Sequence, residues 1–166
     1  MNTKEIIAEI EQTRLSLTKL IDAKFDQLIS NLEIFIANGE FPEFEWNVPL
    51  SVDPHVFIGE KPAALLINGE RIAATSWKKV FEEVLIYCTQ DPIYYDRLFH
   101  LRGKLKGNSR TFISDSPESL TRPTKIADNL YAETHYGAET LIHILVQRIL
   151  FSIKYDYSNI HIVLKS

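Results

Sequence analysis

Four cations stand within nine residues in Arg102-Gly103-Lys104-Leu105-Lys106-Gly107-Asn108-Ser109-Arg110, with no acid among them. Lysine and arginine beside flexible glycines and free backbone N–H groups are the equipment that meets phosphate. Arg122 and Lys125 join this set if their loop folds back toward it. Duplex or single-stranded nucleic acid is then a candidate partner. The run lacks the Gly-Lys-Ser/Thr ending and four-residue spacer of a nucleotide-binding P-loop. A solvated basic loop that offsets an acidic region elsewhere explains the same residues without a ligand.

A second candidate pair is Glu133 and His135, which alternate onto one side of an expected strand and together would serve as a general base or metal ligands. A solvent-facing strand produces the same alternation with no chemistry attached. The five histidines, His55, His100, His135, His143 and His161, contain no His-x-x-x-His pair. Cys88 is the only cysteine, so neither an intramolecular disulfide nor a Cys-rich zinc site is expected. Its place on the apolar stripe of a helix predicts a buried, inert thiol. No Gly-x-Ser-x-Gly is present. No catalytic, cofactor or metal residues are assigned, and an enzyme of unrecognised class rests on Glu133 and His135 alone.

The elements that position these residues divide the chain into three parts. Residues 3–38 read as one helix, capped by Asn2 or Thr3 and stopped at Gly39. Its apolar series includes Ile10, Leu17, Ile21, Phe25, Leu28, Leu32 and Phe35, advancing by threes and fours from Leu17 onward. Such a helix is longer than a compact domain of this size is wide. Self-association through Ile10, Leu17, Ile21, Leu28, Leu32 and Phe35 is therefore expected, as a dimer or higher oligomer. Folding back onto its own domain is the alternative. Residues 40–60 carry Pro42, Pro49 and Pro54 among Phe41, Phe44, Trp46 and Phe57, and read as an extended, packed connector.

Residues 61–166 read as an α+β domain in the order ββ-α-α-β-β-α-β, its sheet antiparallel or mixed. Asn68-Gly69 predicts a two-residue hairpin turn. Thr75 or Ser76 then caps a helix carrying Trp77, Val80, Phe81, Val84, Leu85 and Cys88 on one face. Asp91-Pro92 starts a shorter helix. Thr111–Ser114 and Leu130–Tyr136 read as strands, Ala138–Ile153 as an amphipathic helix, and Ile160–Leu164 as the last strand.

Net charge is −4 in total. Residues 1–60 hold 4 Lys/Arg against 11 Asp/Glu, while 61–166 hold 14 against 11. No single-sign field covers the protein, so bulk attraction to nucleic acid is not expected. No stretch approaches the ~20 apolar residues of a membrane span, and the first residues lack the pattern of a signal peptide. These features, with one cysteine, favour a cytoplasmic, reducing setting. The run Arg122-Pro123-Thr124-Lys125-Ile126, then Asn129-Leu130-Tyr131-Ala132-Glu133-Thr134-His135-Tyr136 with Gly137-Ala138-Glu139-Thr140-Leu141, and finally Tyr155-Asp156-Tyr157-Ser158-Asn159-Ile160, resembles a recurring C-terminal module of uncharacterised bacterial proteins. Some of those proteins are led by a coiled-coil-like helix. The resemblance covers residues 61–164 and implies a two-part bacterial protein, with no activity or ligand to carry over.

Overall fold

The computed structural model describes residues 3–38, 44–107 and 111–165. Arg110, Asn2 and Gly39, with 40–43 of the expected connector, lie outside the described residues. The chain divides into two units, Met1–Glu43 and Phe44–Ser166.

The first unit is helix α1, Thr3–Asn38, 36 residues long. At 1.5 Å per residue it extends about 54 Å, against about 30 Å for the diameter of a small domain.

The second unit is α+β with two antiparallel sheets. The larger has strand order β1-β7-β2-β3, from β1 (Glu45–Pro49), β2 (Lys61–Ile67), β3 (Glu70–Ala73) and β7 (Ile160–Lys165). The smaller has order β4-β6-β5, from β4 (Ile113–Ser114), β5 (Pro123–Ala127) and β6 (Leu130–Glu133). Helix α2 (Trp77–Thr89) packs against both β2 and β5, so it bridges the two sheets. Its start is fixed by Ser76, whose hydroxyl accepts the Lys79 N–H at 3.2 Å. Asp91 does the same for α3 (Pro92–His100), accepting the Ile93 N–H at 2.8 Å.

Two strands depart from the expected order. β1 lies inside the stretch read as a connector and pairs with β7 from Glu45–Lys165 to Pro49–His161. It is an edge strand, which tolerates the proline at its end. β5 lies in the segment read as a loop and pairs with β6. Its inward residues are only Thr124 and Ile126, too few to announce a strand. β6 in turn stops at Glu133 rather than Tyr136.

Helix α4 (Ala138–His143) continues through a π-helical segment, Ile144–Leu150, into α5 (Phe151–Ile153). The wider winding buries Ile144 and Val146 beside the expected Leu141, Ile142, Leu145, Ile149, Leu150 and Ile153. Lys154, at φ 54°, ends it, and the Arg97 guanidinium donates to the Ile153 carbonyl at 2.7 Å.

On the large sheet's outer face, Arg71 Nη2 of β3 reaches Glu45 Oε1 of β1 at 2.9 Å. The registers place the Ala64–Val163 pair at the middle of that diagonal. Both residues are only 1% exposed although they stand outside the main apolar cluster.

Asn68 (φ 51°) and Gly69 (φ 84°) form the two-residue turn between Ile67 and Glu70. A Cβ at Gly69 would meet nothing within 4 Å, so a substitution there is penalised by backbone conformation alone. Gly69→Val is expected to destabilise the second unit by about 1 kcal/mol or more. Urea unfolding checks this, and an unchanged midpoint would contradict the turn assignment.

Candidate functional site

The start of the basic run forms one wall of a cleft of about 390 Å³, bordered by Phe99, His100, Arg102, Lys104, Thr111 and Asp115. Gly103, at φ 68°, turns the chain between the two cations. Arg102 is held from two sides. Its Nε–H donates to the Phe99 carbonyl at 2.8 Å, and its guanidinium carbon lies 3.2 Å from the centroid of the Phe99 ring. Its Nη1 stands 3.9 Å from Asp115, a carboxylate that is mostly exposed. Lys104 is exposed and makes no ion pair among the described residues.

Three backbone N–H groups of the run are already engaged. Those of Arg102, Gly103 and Lys104 donate to the carbonyls of Phe99, Ile113 and Leu101. At these three positions the expected combination of cations with free backbone donors is therefore reduced to side chains. The serine hydroxyls on the same wall are also engaged. Ser119 donates to the Ser116 carbonyl, Ser114 donates to Ser119 at 2.5 Å, and Ser114 accepts the Ser116 N–H. His100 Nδ1 donates to the Asp96 carbonyl at 2.7 Å.

Of the remaining cations of the expected set, Lys106, Arg122 and Lys125 do not line this cleft. Lys106 is exposed, and its carbonyl accepts from Arg148 at 3.3 Å. Arg110 lies outside the described residues. Arg122 is exposed but does not line the cleft. Lys125 pairs with Asp128 across the β5–β6 turn at 2.8 Å. That hydrogen bond raises the lysine pKa and lowers that of the aspartate. Arg102 and Lys104 are what the fold brings together.

Glu133 and His135 part company. Because β6 ends at Glu133, its carboxylate turns inward and is 1% exposed, while His135 is exposed. The carboxylate accepts backbone N–H bonds from Thr121 (2.6 Å), His135 (2.8 Å) and Arg122 (3.0 Å). Burial pushes its pKa up, but those donors together outweigh burial and hold it below the ordinary carboxylate value. A carboxylate so engaged fastens the loop at 121–122 to the end of β6. The buried carboxylate and the exposed His135 side chain do not share the single face expected of them.

Among the described residues no cluster of three His, Cys, Asp or Glu is placed to hold a metal ion. Cys88 is buried, and desolvation pushes its thiol up to about 12. Sequence reading missed two contacts that organise this unit: the Arg102–Phe99 stack, and the Thr124 hydroxyl donating to Glu82 at 2.5 Å, which ties β5 to α2. The three-residue spacing of Phe99 and Arg102 at a helix end was the available signal for the first.

On α1, Ile21, Phe25, Leu28, Ile29, Leu32 and Ile36 are 47–81% exposed. At 100° per residue they fall within an arc of about 100°, and no charge from residues 15–38 enters it. Ile10 is exposed too and Phe35 half-buried, whereas Arg14 interrupts the same arc nearer the N-terminus. The side chain of Leu17 lies outside the described ones. No helix of the described residues is long and apolar enough to cross a membrane.

No family model matches the chain, and neither curated proteins nor solved structures match it.

Proposed function

We propose that the protein is a non-enzymatic interaction protein that assembles through α1 and displays the Phe44–Ser166 unit as a recognition module. The carrying observation is the exposed, charge-free stripe from Ile21 to Ile36. An isolated helix gains little from propensity alone, and an apolar stripe of this extent in water needs a covering surface. A second copy is the occupant we assign. It carries the same stripe over the same length, so the two cover each other end to end. The bacterial cytoplasm is the setting we infer, on the single cysteine and on the resemblance of residues 61–164 to modules led by similar helices.

Leu28→Asp with Leu32→Asp places two charges at the centre of this seam. The double variant is expected to scatter light as one chain and to lose helical circular dichroism. The second unit should keep its own cooperative unfolding transition. A variant that retains the wild-type mass would remove α1 as the interface.

Nucleic-acid binding needs a row of available cations along one surface. With Lys125 paired to Asp128 and neither Lys106 nor Arg122 beside Arg102 and Lys104 in the cleft, it is an outcome to be tested rather than the favoured reading.

A further inference from the structure

We infer that the cleft beside Arg102 and Lys104 is a binding site for a small phosphomonoester. This does not rest on assembly through α1, since every residue used belongs to the second unit. Arg102 is the anchor. The Phe99 ring and the Phe99 carbonyl fix its guanidinium, so little side-chain freedom remains to be lost on binding. With Nε engaged, the Nη amino groups are its remaining donors, and a planar guanidinium matches two phosphate oxygens at once. Lys104 adds an exposed ammonium on the same wall.

The charge balance favours a dianion. Arg102 and Lys104 face one carboxylate, Asp115, which is exposed and 3.9 Å from the guanidinium, leaving an excess of positive charge. A phosphomonoester carries close to two negative charges at neutral pH, a sulfonate only one. The Thr111 hydroxyl is a neutral donor on the rim, and Asp115 is an acceptor for a hydroxyl on the ligand's organic part. Size points the same way. About 390 Å³ suits a metabolite-sized ligand, whereas a nucleic-acid backbone would need Lys106, Arg122 and Lys125 along the same surface.

The full-length chain is titrated with phenyl phosphate and with benzenesulfonate at constant ionic strength, following backbone amide signals by NMR. A single oligonucleotide duplex and a single-stranded RNA are added in parallel. Phenyl phosphate is expected to shift signals of residues 99–105 and 111–115 saturably. Benzenesulfonate, with the same ring and half the charge, is expected to bind about tenfold or more weakly. Arg102→Gln should abolish the shifts. Because Arg102 also packs on Phe99, Lys104→Ala is the variant that separates charge from folding. Its side chain is exposed, and its loss should weaken phenyl phosphate about fivefold while leaving other signals in place. No saturable shift, equal affinity for the two aromatic anions, or full affinity in Lys104→Ala would overturn the assignment. Oligonucleotides that bind more tightly than phenyl phosphate and shift signals around Arg122 and Lys125 would overturn it in favour of nucleic acid.

Discussion

Replacing Glu133 by alanine is expected to cost about 3 kcal/mol or more in urea unfolding of the second unit. Three backbone N–H groups, those of Thr121, Arg122 and His135, would lose their acceptor at a buried position. Glu133→Gln keeps the shape but presents an amide NH₂ where one donor now meets oxygen, so it should also destabilise, by less. The pH dependence has a definite sign. The folded-state pKa is lowered, so protons bind the unfolded chain more readily than the folded one. The stabilisation is therefore fully present above the unfolded value of about 4.3 and is lost as pH falls below it through the lower folded value. In Glu133→Gln that contribution to acid destabilisation should disappear. An alanine variant as stable as wild type would refute the role assigned to this carboxylate.

Phe81→Ala is expected to cost about 3–5 kcal/mol, a large fraction of the stability of a domain this size. Phe81 is fully buried on α2, the helix that touches both sheets, so neither sheet alone can close the cavity. The neighbouring Cys88→Ala removes far less volume and should cost only about 1 kcal/mol. Thermal or urea denaturation of the pair measures the contrast. Equal effects would mean that α2 is not the keystone of the core.

Much of this core was legible because α2 follows helical spacing from Trp77 to Cys88 with a serine cap before it. Asn68-Gly69 was equally direct, since the turn type demands positive φ and those residues supply it. β1 was hidden by its setting: Trp46 and Val48 alternate, but flanking prolines resemble those of a connector. β5 offers two inward residues and begins with proline. The π-helical segment leaves no mark in an apolar run such as Ile144-Leu145-Val146, because side-chain type there does not distinguish one winding from the other. Glu133 was misjudged because alternation was extended past the end of its strand. Only the turn of the chain after Glu133 decides that its carboxylate faces backbone donors. For the basic run the limit is similar. Adjacency grouped four cations, and a folded-back loop was to add Arg122 and Lys125, whereas the fold gathers Arg102 and Lys104 and engages Lys125 with Asp128.

In the proposed assembly α1 is covered by a second copy. Sedimentation equilibrium of the full-length chain measures this without a label or a variant. The expected mass is at least twice the 19.1 kDa of one chain, falling toward one chain only on dilution. A single species of 19.1 kDa at every concentration up to about 100 μM would contradict it.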